Sequence, residues 1–135
     1  MVQKVVKWQA NNLPKNQNPE EELKIFSPEE VAKVTNFHKS FPQYTQTPLA
    51  KLDNLAKFLG VKKLAVKDES YRFGLNAFTV LGASYSMGRF LAKRLGRDIA
   101  DLPYNVMVSE EVRKELGEIK FFAATDGNHG RAVAW

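Results

Sequence analysis

Ile119-Lys120-Phe121-Phe122-Ala123-Ala124 runs without a spacer into Thr125-Asp126-Gly127-Asn128-His129-Gly130. A continuous apolar run of this length, interrupted only by Lys120, reads as a strand buried on both faces. The polar hexad behind it, bracketed by Gly127 and Gly130, reads as a turn into a helix that begins near Asn128. Strand, turn and helix start bring backbone N–H groups and a few polar side chains to one point, where an anionic or aromatic cofactor can be held. The chain stops at Trp135, about one helical turn further on. The expectation is therefore a strong site in an unfinished molecule.

Working back from that turn, Ser109 caps a short helix over 110–116 whose acidic first turn suits the helix dipole. Residues 97–108 read as a loop around Pro103. A long helix spans about 76–95 and is closed by Gly96. Between Ala77 and Phe90 it carries almost no charge, and Gly82, Ala83, Ser84, Ser86 and Gly88 are small. A helix apolar all round is a buried one. Before it, Asp68-Glu69-Ser70-Tyr71-Arg72-Phe73-Gly74 is a polar loop, and Lys62–Lys67 alternates as a strand. Leu52, Leu55 and Leu59 line a short helix that stops at Gly60. It is reached through the extended Thr47-Pro48-Leu49. Ser27-Pro28-Glu29-Glu30 starts a helix with a capping box, and Phe26 and Val31 form a hydrophobic staple. Val31, Val34, Phe37 and Phe41 give that helix its buried face, on which His38 reads as a packed or surface histidine rather than a ligand. Residues 1–26 are a polar, irregular N-terminal segment, and 27–135 form the folded part.

Two strands joined by a helical crossover make a right-handed parallel βαβ unit, so the fold class is α/β with flanking helices. Two strands cannot cover a fully buried helix, so most of the sheet is expected from elsewhere.

Composition narrows the function. The 135 residues suit one domain, and a complete domain of that size buries roughly two-thirds of its unfolded surface. With no cysteine, disulfides, thiolate metal sites and a thiol nucleophile are excluded. The absence of cysteine fits a reducing, cytoplasmic setting. No apolar run reaches membrane-span length, and Met1-Val2-Gln3-Lys4 leads into no signal-peptide core. The net charge is +5, but the Lys93, Arg94 and Arg97 cluster sits at a helix end, where cations complement the dipole. No nucleic-acid module accompanies it.

In open parallel sheets, ligands bind beyond the C-terminal strand ends. Loops 68–76 and 125–130 both lie there and are expected to face one crevice. Asp68, Glu69, Ser70, Arg72, Asn76, Asp126, Asn128 and His129 are its candidate residues. The alternative is that some are caps and turn formers, Asn76 as a helix cap and Asp126-Gly127 as a turn.

The segments Asp68-Glu69-Ser70-Tyr71-Arg72-Phe73-Gly74-Leu75-Asn76-Ala77-Phe78 and Thr125-Asp126-Gly127-Asn128-His129-Gly130-Arg131 resemble diaminopropionate ammonia-lyase. That family is made of pyridoxal-phosphate enzymes with the tryptophan-synthase β-subunit-like fold (fold type II). The resemblance runs from about residue 27 to 135. Gly-Asn-His-Gly alone is shared with threonine dehydratases, whereas Asp126 and the Phe-Gly-Leu-Asn-Ala-Phe stretch point to the narrower family. It implies α,β-elimination of 2,3-diaminopropionate, an amino-acid substrate, to pyruvate and ammonia, with the cofactor as electron sink. It implies pyridoxal 5'-phosphate as cofactor and a homodimer as assembly. By the same resemblance Asp126 is an acid/base, Asn128 is the partner of the pyridoxal 3′-oxygen, and Gly127 and His129 are cofactor-side neighbours.

One position departs from the family. Thr79 stands where the family carries its Schiff-base lysine, and a threonine has no amine to form an imine. Lys67 precedes the loop, and Lys93 is about 21 Å further along the helix. The family's glycine-rich phosphate loop is not found before Trp135. The expectation is a truncated, lyase-like chain that is inactive alone. The alternatives are a fragment of a threonine or serine dehydratase-like lyase, and a non-catalytic fragment acting by association.

Overall fold

The computed structural model describes residues 9–10, 12, 19–125 and 127–135. Most of the irregular segment expected over 1–26 lies outside them. Its described end is helical, with α1 (Pro19–Leu23) followed by a 3-10 turn over Lys24–Phe26. Pro19 sits at a first helical position, where its missing N–H costs nothing.

α2 (Pro28–Lys39) begins as its sequence predicts, with Ser27 Oγ accepting from the Glu30 N–H at 3.3 Å. Phe26 and Val31 are both exposed, so a staple there shields little. The buried face starts further on, at Phe37 and His38, and continues to Phe41. Phe37 and Phe41 meet edge to face at 5.2 Å, and each buried phenyl contributes about 1.5–3 kcal/mol.

β1 (Leu49–Lys51), α3 (Asp53–Leu59) and β2 (Ala65–Lys67) follow. Gly60 closes α3 at φ 70°, a left-handed cap that favours glycine. β1 and β2 pair antiparallel, with Leu49 opposite Lys67 and Lys51 opposite Ala65. Both strands are exposed along their length. Of the expected leucine stripe on α3, Leu55 and Leu59 are exposed too, and Ala56 is the buried residue.

α4 (Thr79–Arg94) is the central element, flanked by α5 (Tyr104–Met107), α6 (Glu110–Leu116) and α7 (Asn128–Ala134). Val80, Ala83, Gly88 and Ala92 form its buried side. Phe78 and Phe90 face solvent, so burial is one-sided rather than all round. The core joins Phe37, Phe41, Phe73, Val80, Ile99 and Leu102 across α2, α4 and the 3-10 turn at Ile99–Asp101. The Ser40 hydroxyl accepts from the Tyr104 N–H at 2.8 Å, which fixes α5 to the end of α2. Ser109 Oγ caps α6 through the Val112 N–H at 3.3 Å. Of the basic cluster, Arg97 reaches Glu115 at 2.7 Å.

The parallel pairing of 62–67 with 119–124 is not formed. β2 takes β1 as its antiparallel partner, and 119–124 has no ladder partner among the described residues. Nor is that run buried, since Phe122 is 90% exposed. An apolar run becomes a strand only when neighbours satisfy its N–H and C=O groups, and two strands are too few to do so alone. What remains is an α/β arrangement of helices with one small sheet.

Candidate functional site

The segment after β2 is set by local hydrogen bonds. Asp68 Oδ1 accepts from the Ser70 N–H at 3.1 Å and from Ser70 Oγ at 2.6 Å, which starts the 3-10 turn Glu69–Tyr71. These bonds from Ser70 hold the Asp68 carboxyl below its ordinary range.

Glu69 and Arg72, three residues apart, form a bidentate pair. Arg72 Nε donates to Glu69 Oε2 at 2.8 Å and Nη2 donates to Oε1 at 3.0 Å. Thr47 Oγ1 donates to Glu69 Oε1 at 2.6 Å and accepts from Arg72 Nη2 at 3.1 Å. Arg72 Nη1 donates to the Thr45 carbonyl at 3.2 Å. Arg72 is only 7% exposed. Its bonds to Glu69 hold that carboxyl down to about 2, against the opposing pull of burial. Lys67 Nζ donates to the Thr47 carbonyl. These side chains, expected in a ligand crevice, are committed to one another.

Next comes a turn with three left-handed residues, Phe73 at φ 50°, Gly74 at φ 71° and Asn76 at φ 56°. Glycine and asparagine tolerate this region, whereas a phenylalanine there costs about 1–3 kcal/mol. The Phe73 ring is buried against Phe41 and Trp135, with centroids at 5.9 and 5.0 Å, which offsets the strain. Asn76 does not cap α4. The helix starts three residues later, with Phe78 in the cap position and no side-chain cap bond.

Thr79 is therefore the first residue of α4. Its Oγ1 is buried without a hydrogen-bond partner among the described residues, a state that costs about 1–3 kcal/mol.

At the other turn, Thr125 Oγ1 accepts from the Gly127 N–H at 3.3 Å. A β-carbon on Gly130 would stand 2.5 Å from Thr125 Cγ2, so a side chain there would displace the Thr125 methyl. Asn128 opens α7 and is exposed. His129 lines a cavity of about 460 Å³ together with Gly82, Ser86, Met87 and Phe121. Asp126 lies outside the described residues. No hydrogen bond or ion pair among the described residues joins the two turns. Their link is apolar, through Phe73 on Trp135. Trp135 also stacks on Phe41 at 5.5 Å and 22°.

Two polar features escaped sequence reading. One is the part Thr47 plays in the Glu69–Arg72 pair, for which the i, i+3 spacing of glutamate and arginine was the available signal. The other is the pair of polar partners of His38, a histidine packed as one of its two expected readings has it: Nε2 donates to the Leu81 carbonyl at 3.0 Å and lies 3.3 Å from Ser84 Oγ. Burial pushes its pKa below the ordinary value.

Comparison with known proteins fits this arrangement. Residues 41–135 match the family model described as pyridoxal-phosphate dependent enzyme. The chain belongs to that family. It is 40% identical over 134 residues to diaminopropionate ammonia-lyase of Salmonella typhimurium, across 99% of this chain and 33% of the relative. It is 45% identical over 112 residues to the Escherichia coli K12 protein of the same name, across 82% of this chain and 27% of the relative. Among solved structures it resembles Escherichia coli diaminopropionate ammonia lyase in apo form, with TM-score 0.73 and 42% identity over 83% of this chain and 30% of that one. The complex of that enzyme with D-serine gives TM-score 0.67 at 40% identity, over 83% of this chain and 28% of that one. The chain thus spans 27–33% of the length of the curated relatives it matches.

Pyridoxal phosphate is the cofactor of this family. Covalent attachment of that cofactor needs a lysine amine. Thr79 carries a hydroxyl and no amine, and the Lys67 amine donates to the Thr47 carbonyl.

Proposed function

We propose that this chain is a diaminopropionate ammonia-lyase-like polypeptide that has no lyase activity by itself. The observation that carries this is Thr79, an unpartnered hydroxyl at the start of α4 where the family places its lysine. Asp126, Gly127, Asn128 and His129 keep the family pattern, with Asp126 in the acid/base position and Asn128 in the position of the pyridoxal 3′-oxygen partner. Asp126 and the 40–45% identity to ammonia-lyases favour diaminopropionate over the substrates of threonine or serine dehydratases. The purified chain, given pyridoxal phosphate and 2,3-diaminopropionate, is expected to release ammonia and pyruvate no faster than the free cofactor does. Sustained release above that rate would overturn the reading.

A second reading, association with another polypeptide or a second copy, is favoured by the exposure of Phe58 at 84% and Phe122 at 90%. Light scattering after size exclusion tests it, and a homodimer is the assembly the family resemblance suggests. The cysteine-free composition supports a cytoplasmic location. Among the described residues no helix is long and apolar enough to cross a membrane.

A further inference from the structure

We infer that Thr47, Glu69 and Arg72 are positioning residues that hold the 73–78 turn in its left-handed path and so fix where α4 begins and where residue 79 stands. Three observations meet here. First, the cluster is internally complete, because both Glu69 oxygens, the Thr47 hydroxyl and three Arg72 nitrogens all have partners. Second, it ties two distant stretches together, 45–47 and 69–72, with Lys67 fastening the Thr47 carbonyl from a third side. Third, Arg72 is followed at once by Phe73, Gly74 and Asn76, all at positive φ.

An aromatic residue does not keep a left-handed backbone unless its surroundings over-determine it. On the C-terminal side of Arg72 the Phe73 ring is pinned in the core, on Phe41 and Trp135. On the N-terminal side the guanidinium is forked onto Glu69, so the backbone between two fixed side chains has little freedom left. The Arg72 carbonyl accepts from the Leu75 N–H at 2.9 Å, which closes the turn directly on the clamped residue. A planar fork is needed for this. Lysine would keep the charge but gather its donors on one nitrogen, where Arg72 spreads them over three in a plane.

The importance of position 79 rests on the proposed function above, but the clamp itself does not, and it is read without any cofactor. Hydrogen exchange on the full chain compares the amides of 73–79 with those of 83–94 in α4. Thr47→Val and Arg72→Lys are each expected to speed exchange over 73–79 by about five- to tenfold, with 83–94 unchanged. Thr47→Ser, which returns the hydroxyl, is expected to restore the original rates. Unchanged exchange over 73–79, or an equal rise in both segments, would overturn the assignment. Should Arg72→Lys fail to fold, Thr47→Val decides alone, because it leaves the Glu69–Arg72 pair in place. Sustained ammonia release by the purified chain, with this exchange pattern intact, would overturn the reading of residue 79 and leave the clamp standing.

Discussion

Gly88 on α4 and Phe37 on α2 approach so closely that a β-carbon at 88 would stand 2.8 Å from Phe37 Cε2 and Cζ, and 3.1 Å from Ile99 Cδ1. Phe37 cannot retreat, since Phe41 and Tyr85 hold its ring edge to face at 5.2 and 5.4 Å. The small residues of α4 thus serve helix-to-helix contact at this point. Gly88→Ala is expected to destabilise by about 1–3 kcal/mol through overpacking, in spite of better helix propensity. Gly82, with no described residue within 4 Å of its missing β-carbon, gives the opposite sign. Gly82→Ala is expected to stabilise by up to about 1 kcal/mol. Urea midpoints of the two variants check the pair, and equal shifts would contradict the packing described.

Glu69 supplies a pH dependence at the acid end. Its carboxyl is held at about 2 in the folded chain, against an ordinary 4.5. The stabilisation is fully present above the ordinary value and is lost as pH falls from there through the folded value. Thermal melts between pH 5 and 2 are expected to fall steeply. Glu69→Gln should start lower at neutral pH and fall less. A parallel decline in both proteins would remove Glu69 from the account.

His38 acts in a higher window. It is 5% exposed and its pKa lies below the ordinary 6.5, chiefly because burial disfavours the charged ring. Below about pH 6.5 the unfolded chain takes up a proton that the folded chain resists, so stability declines as pH drops through this range. His38→Gln is expected to flatten the melting curve between pH 7.5 and 5.5. A slope that survives the substitution assigns the effect to other groups.

Gly130 and Thr125 allow a double-mutant test of the second turn. A β-carbon at 130 meets Thr125 Cγ2 at 2.5 Å, so Gly130→Ala is expected to destabilise. Thr125→Ser removes that methyl and keeps the hydroxyl that accepts from Gly127. The double variant should therefore recover part of the loss, and strict additivity of the two changes would refute the contact.

The parts of this fold that could be read from sequence are those whose causes are local. Ser27 and Ser109 cap their helices because a hydroxyl three residues before an N–H is enough. Gly60 ends α3 because a left-handed cap needs only a glycine there. The run 119–124 differs, since an apolar sequence records a preference for burial and not which strands will satisfy its backbone. Leu55 and Leu59 carry the same lesson, spaced for a buried face yet exposed. In the site, Glu69 and Arg72 read equally well as ligand groups or as a structural pair. Their partner Thr47 lies 22 residues before Glu69, and no periodicity reports a contact at that separation. The proposal for Thr79 rests on residue identity at one position, which needs no knowledge of the fold.

If Thr79 leaves this chain without a lysine to hold pyridoxal phosphate covalently, as we propose, borohydride trapping shows it most directly. The wild-type chain is incubated with the cofactor, reduced, digested and mapped by mass spectrometry. No lysine is expected to be labelled above a diffuse background, and label is expected at position 79 once Thr79→Lys is introduced. Stoichiometric label on one wild-type lysine, Lys67 above all, would contradict it.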